Sequence, residues 1–333
     1  MVDTVFAELA ARLLADAAPE PDGGFDAQLW TAIADAGLDR LLLPEEQGGA
    51  GDAFAEAVAM MMAFGSAGAA LPLADTLIAN WCLSRAGVDL SEGSKVLLSV
   101  PDVQRVDHGW VGVGYWLPVA SSVLAIDESP ERVSIVTTGP FTGRIGETAS
   151  GEPLGWVDPD TLPAVGSFET SIVPGQALAI AATFDAAAIV GALEQICTLS
   201  IAYANTRKQF GKPIGKFQAV QTLIAKLASE AAAARAAVEH AATELAGPNP
   251  LFWAGVAKAR ASEAAGKGAA YAHQVHGAIG FTREYELHRY TRRLWTWRER
   301  RGNERYWNQR IGSVVLAGGG QKLWTGLIDG LTL

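Results

Sequence analysis

The chain has 333 residues, room for two or three domains at about 150 residues each. Hydrophobic residues make up 49% and charged residues 19%, the balance of a globular protein with a large core. The net charge of −10 argues against a general nucleic-acid or anionic-membrane binder. Cys82 and Cys197 lie in apolar helical patterns and read as reduced core residues. No Cys/His spacing reads as a zinc site, so no metal is expected. Met1–Phe6 shows neither a basic n-region nor an apolar h-region, so no signal peptide is expected. The apolar runs are interrupted by Gly, Asp and Lys, so no membrane span is expected and the expected location is the cytoplasm.

The first part of the chain reads as helical. Val5, Leu9, Leu13 and Leu14 share one face of a helix over residues 3–17, broken by Pro19, Pro21, Gly23 and Gly24. Leu29, Trp30 and Ile33 recur at helical spacing over 25–37, and Gly37 stops that helix. A loop follows from Leu41 to Gly51. Further helices are expected over 52–65, with Met60, Met61 and Met62 filling core, and from Pro72 to Gly87.

From about residue 94 the pattern changes. Val96–Val100, Gly109–Val113, Ser122–Ile126 and Arg132–Val136 are short, rich in β-branched residues and separated by turn residues. Gly139-Pro140 and Asp158-Pro159-Asp160 read as turns. This is a small antiparallel β-domain that ends near 170.

The rest is helical again. Ala177–Thr206 reads as one long helix, Phe217 to about Leu245 as a second and Phe252–His273 as a third, joined by short loops as in an antiparallel four-helix bundle. The expected organisation is therefore mainly α with a small β-domain: a helical domain at 1–92, the β-domain at 93–170 and the bundle at 171–333. The alanine-rich helix faces permit close approach and are expected to bury an oligomer interface.

Between the first two long helices lies Arg207-Lys208-Gln209-Phe210-Gly211-Lys212-Pro213-Ile214, then Phe217-Gln218-Ala219-Val220-Gln221. Arginine offers a planar fork of donors for phosphate, and the following helix N-terminus offers free N–H groups. Local physics alone allows a plainer reading, a cationic pair complementing a helix C-terminus beside turn glycines. A second stretch, Gln274-Val275-His276-Gly277-Ala278-Ile279-Gly280, stops a helix at glycines that let backbone approach a ligand. Beyond it, His288–Trp307 reads as a cationic helix interleaved with aromatics. Its interspersed glutamates and the acidic whole argue against nucleic acid and for ion-paired helices or a basic lip facing a coenzyme A-like thioester.

Both stretches resemble the acyl-CoA dehydrogenase family, the first at its cofactor-binding helical hairpin and the second at its Gln-x-x-Gly-Gly-x-Gly turn. The run Leu29-Trp30, Ala36-Gly37-Leu38, Pro44-Glu45-Glu46 and Gly48-Gly49-Ala50-Gly51 resembles the family's N-terminal helical domain. The resemblance implies an acyl-CoA dehydrogenase-like fold, FAD as cofactor, an acyl-CoA substrate and electron-transfer flavoprotein as acceptor. It also implies a homo- or hetero-oligomer, with a tetramer expected. Arg207, Gln209, Phe210 and Gln218 match positions that hold the FAD pyrophosphate and adenosine across a subunit boundary. Gln274, Val275, His276, Gly277 and Ala278 match the turn whose backbone binds the pyrophosphate, with Ala278 in place of the second glycine. The family's Thr-Glu…Gly-Ser flavin segment is missing after Val100, where the chain reads Pro101-Asp102-Val103-Gln104-Arg105.

The implied reaction is α,β-desaturation, which needs a carboxylate base in a closed apolar site. The family's spacing from Gln274 arrives at Arg301, and a guanidinium cannot act as base. The alternative spacing back from Arg207 arrives at Ala181, with Asp185 the nearest carboxylate. Three readings stay open. The base has moved to Glu299. The chain is a base-deficient, non-catalytic subunit that completes a partner's flavin site in a heteromeric acyl-CoA dehydrogenase. The fold serves another flavin task.

Overall fold

The computed structural model describes residues 5–16, 24–99, 101–107, 109–129, 131–158 and 160–317. The expectations at Pro19, Pro21, Gly23, Val100 and Pro159, and at the extreme ends of the chain, lie outside the described residues.

The helical N-terminal part contains α1 (Val5–Asp16), α2 (Ala27–Asp35), α3 (Phe54–Ala67) and α4 (Leu73–Arg85). Asp26 starts α2 by accepting hydrogen bonds from the Gln28 and Leu29 amides, which satisfies two of the orphan donors of its first turn. The methionines of α3 are buried core, as read. Cys82 is buried in α4 and Cys197 half-buried, and both are free.

The strands are β1 (Lys95–Leu98), β2 (Val103–Val106), β3 (Gly109–Tyr115), β4 (Ser122–Glu128), β5 (Val133–Thr138), β6 (Ile145–Glu147), β7 (Pro153–Val157) and β8 (Ala164–Thr170). They form two four-stranded sheets ordered β1-β4-β5-β8 and β2-β3-β7-β6. Pairing is antiparallel except between β1 and β4, which run parallel with Lys95 opposite Ser122. Strand β2 falls within the stretch where the family's flavin segment is missing. It closes a hairpin onto β3, with Val106 opposite Gly109.

Helix α5 (Gln176–Thr206) is the central element of the C-terminal part. By length and composition it passes for a membrane span, contrary to the reading of its interruptions. Its mean hydropathy reaches 1.7 over a stretch that is 94% buried inside the protein, so a core helix accounts for it. It packs against α3, α6 (Gln218–Glu244) and α7 (Pro250–His276). The α3–α5 contact is backbone to backbone. A Cβ on Gly65 would overlap the Ala188 carbonyl, and one on Gly191 would overlap the Met62 carbonyl. Gly191→Ala is therefore expected to cost about 1–3 kcal/mol through forced separation of the two helices, read by urea denaturation. An unchanged midpoint would show that the helices part freely.

The cationic segment is not one helix. It divides into α8 (Leu287–Glu299) and α9 (Glu304–Ala317), with Arg301 and Gly302 between them in left-handed conformation at φ 51° and 87°.

Candidate functional site

Helix α5 ends at Thr206, and Arg207 leaves it in extended conformation. Lys208–Gln209 (β9) then pairs antiparallel with Lys212–Pro213 (β10). Phe210 and Gly211 form the tip at φ 49° and 80°, the two left-handed positions that a tight hairpin turn requires. Phe210 adopts this conformation while 93% exposed, its ring edge-on to Phe217 with centroids 6.2 Å apart. A 3₁₀ turn at Ile214–Lys216 leads into α6, whose first turn has no side-chain cap.

Helix α7 brings the second stretch alongside. It runs three residues further than expected, through Gln274, Val275 and His276, and stops at Gly277 with φ 64°. Together the two stretches line a cleft of about 730 Å³. Arg207, Gln209 and Phe210 stand on one side and Gln274, Val275, His276, Gly277 and Ala278 on the other, with Tyr203 and Phe217 among the remaining walls. Gln218 is the exception. It is exposed at the first residue of α6 and does not line the cleft.

His276 is buried, and its ring stacks on Tyr203 with centroids 4.6 Å apart. Its Nδ1 lies 2.8 Å from the Ala272 carbonyl oxygen. Burial holds its pKa below the ordinary imidazole value. Neighbouring His273 lies 3.0 Å from the Thr291 hydroxyl through Nε2 and stacks on Phe281.

A second feature, which shares no residue with the cleft lining, is a buried charge cluster. Arg301 donates through Nη1 to Asp185 at 2.8 Å and through Nη2 to Asp75 at 2.6 Å. Arg300 donates to Asp75 at 2.8 Å and lies 3.5 Å from Asp185. These four side chains are at most 5% exposed. Both carboxylate oxygens of Asp102 accept from the Arg301 backbone N–H, at 2.9 and 3.0 Å. Arg300 also lies over the Tyr115 ring at 5.2 Å.

Lys258, fully buried on α7, fixes the turn. Its ammonium donates to the carbonyls of Trp297, Arg298 and Gly302 and to the Ser262 hydroxyl, at 2.9 to 3.1 Å. It thereby satisfies the orphan acceptors at the end of α8, and the chain turns Arg300 and Arg301 inward.

Protonation follows from burial opposed by charge. Burial raises the pKa of Asp185, but Arg300 and Arg301 outweigh it and hold the carboxyl below its usual value. Burial pushes Asp102 up to about 6 against the pull of Arg301. Lys258 is lowered by burial to about 8. Because the folded pKa of Asp102 is raised, the native state takes up its proton first as pH falls. The stability this group contributes is full below about 4 and is lost as pH rises through 6. Asp102→Asn is therefore expected to gain on the wild type as pH rises from 4 to 6, read by thermal melting. A difference that stays flat across that window would contradict the raised pKa.

The structure also places Glu299 and the cationic side chains around it. Glu299, the candidate relocated base, is the last residue of α8. Its side chain is 55% exposed, 3.9 Å from Arg298, and accepts from Asn303 at 2.8 Å. It lacks the closed apolar surroundings that proton abstraction needs, because the chain turns inward only after it. Of the cations around it, Arg293, Arg300 and Arg301 are buried and Arg298 pairs with Glu304, while Arg305 stays exposed.

Sequence reasoning reached Asp185 only as the carboxylate nearest Ala181 and missed Asp75, Asp102 and Lys258. The available signal was a lone carboxylate in each of two apolar stretches, Leu73–Leu77 and Ala177–Leu193. A buried charge of that kind requires a partner.

The helical layer, the paired small sheets and the long-helix bundle with its cationic hairpin define an acyl-CoA dehydrogenase-type fold. Residues 1–90 match the acyl-CoA dehydrogenase N-terminal domain and residues 174–312 the C-terminal domain. Acyl-CoA dehydrogenase IpdE2 of Mycobacterium tuberculosis is 33% identical over 303 residues, covering 88% of each chain. Among solved structures, the Tcur3481-Tcur3483 steroid ACAD superposes with a TM-score of 0.81 at 23% identity, covering 95% of this chain and 98% of that one. The ChsE4-ChsE5 complex from Mycobacterium tuberculosis gives 0.75 at 23% identity, covering 94% and 96%. At that identity the structural likenesses establish the fold alone. The chain belongs to the acyl-CoA dehydrogenase family.

Proposed function

We propose that this chain is the base-deficient subunit of a heteromeric acyl-CoA dehydrogenase. It lends the cleft between Arg207 and Ala278 to an FAD held mainly by a partner subunit. The observation that carries the reading is Arg301, which stands where the family's base is expected and is locked between Asp75 and Asp185. A guanidinium in that setting neither accepts a proton nor frees either carboxylate to do so.

The cleft fits the nucleotide half of FAD. Arg207 presents an exposed guanidinium suited to phosphate, and the Gly277 turn carries no Cβ between backbone and ligand. When bound, FAD supplies the acceptor for the hydride that leaves the acyl β-carbon. This chain's residues would bind and orient the dinucleotide, while the α-proton goes to a carboxylate of the partner. The subunit names of the ChsE4-ChsE5 complex support a two-chain assembly on this fold. In this reading the assembly is a cytoplasmic heterotetramer that oxidises an acyl-CoA and passes electrons to electron-transfer flavoprotein.

The test is the visible spectrum of the purified chain, alone and co-expressed with the product of the neighbouring gene. Flavin absorbance that bleaches with acyl-CoA is expected only in the co-expressed sample. Stoichiometric FAD bound by the chain alone and reduced by acyl-CoA would overturn the reading and favour a self-sufficient dehydrogenase.

A further inference from the structure

At the cleft the fold leaves a polar atom of His276 unsatisfied. His276 is 3% exposed, and its Nε2 is buried with no hydrogen-bond partner among the described residues. Burying such an atom without a partner is costly, so an unpaired one at a ligand-sized cleft calls for an explanation. The other ring nitrogen fixes its state. Nδ1 lies 2.8 Å from the Ala272 carbonyl, which can only accept, so Nδ1 carries the proton. Stacking against Tyr203 and the edge of Tyr285 at 4.9 Å holds the ring plane. In the neutral ring, which burial favours, Nε2 is a lone-pair acceptor.

We infer that the Nε2 of His276 accepts a hydrogen bond from a sugar hydroxyl of the bound dinucleotide, beside the phosphate taken by Arg207. This rests on the proposed role of the cleft as half of an FAD site. The two side chains divide the ligand by chemistry. A neutral acceptor repels a phosphate oxygen and welcomes a hydroxyl, while an arginine favours the anion. His276 thus selects for a ribitol or ribose next to the anion, which backbone N–H groups and Arg207 cannot do.

Two substitutions separate the ring nitrogens. In His276→Asn the amide stands near Nδ1 and can still donate to Ala272, with nothing at the Nε2 position. In His276→Gln the longer amide reaches the Nε2 position and offers a carbonyl oxygen there. The co-expressed assembly is stripped of flavin and titrated with FAD. His276→Asn is expected to weaken FAD binding by about tenfold, and His276→Gln to stay within about threefold of wild type. Inorganic pyrophosphate, which has the charge and lacks the hydroxyl, is expected to compete equally well in all three proteins. Melting temperatures without FAD serve as the structural control: both variants lose the ring stack on Tyr203 and are expected to melt below wild type by the same margin. Unchanged FAD affinity in His276→Asn overturns the inference and leaves the FAD site standing. Equal loss for FAD and pyrophosphate overturns it in favour of a phosphate contact. Absence of FAD binding to the wild-type assembly overturns the site and the inference together.

Discussion

Replacing Arg301 with glutamate, which restores the residue type expected at the family's base position, is expected to unfold the chain and not to confer activity. The substitution would set a new carboxylate among Asp75, Asp102 and Asp185 and leave Arg300 and Lys258 as their nearby cations. Breaking a buried ion pair by removing one partner costs about 3–5 kcal/mol, and a like charge in its place adds to that. Against a total stability of roughly 5–15 kcal/mol, this removes much of the margin. The cause is checked by a cycle of Arg301→Leu and Asp185→Leu. Each single change strands a buried charge and is expected to cost about 3–5 kcal/mol in urea denaturation. The double change replaces the pair with apolar contacts and is expected to cost less than either single one. Single changes that cost under about 1 kcal/mol and add would remove the ion-pair account. Acyl-CoA-dependent flavin bleaching by the Arg301→Glu chain would show that the base position is competent after all.

The parts of this molecule that could be read from the sequence are those written in contiguous stretches. The long helices announce themselves by periodicity and by the glycines and prolines at their ends. The cleft could be read because its walls are two short motifs, and chain order alone places both at ends of adjacent bundle helices. The strands were harder. β1, β3, β4 and β5 have β-branched runs, whereas β8 exposes Val165 and Phe168 together with Glu169 and shows no clean alternation. β2 exposes Gln104 and Arg105 and lies where the family's flavin segment was sought. The charge cluster was out of reach for a different reason. Asp75, Asp102, Asp185 and Arg301 come from four distant segments, and only the fold brings them together. The break between α8 and α9 also had little signal. Its signal is confined to Gly302 and to Asn303, which accepts from the Arg305 and Tyr306 amides, and the left-handed Arg301 is held by a lysine some forty residues away in sequence. The result is that the residues lining the cleft were legible and the buried charge cluster was not.

That division predicts how the assembly responds at Arg207. Arg207→Gln is expected to weaken FAD binding by roughly 10- to 100-fold, the equivalent of about 1.5–3 kcal/mol for a hydrogen bond to a charged group. Arg207→Lys keeps the charge but loses the planar fork, so an intermediate loss is expected. The guanidinium is exposed and Arg207 is held in place by backbone bonds, its N–H to Tyr203 and its carbonyl from Ile214. The melting temperature of the flavin-free assembly is therefore expected to stay unchanged. Turnover separates binding from chemistry. If the proton goes to a carboxylate of the partner, kcat at saturating FAD is expected to match wild type, with the whole effect in the FAD dissociation constant. Affinity should also fall less steeply with salt in Arg207→Gln, because one phosphate contact no longer depends on a cation. Unchanged FAD affinity would remove Arg207 from the site. A fall in kcat at saturating FAD would place this chain's hairpin closer to the reacting atoms than a binding role allows, and with it the claim that the chemistry belongs to the partner.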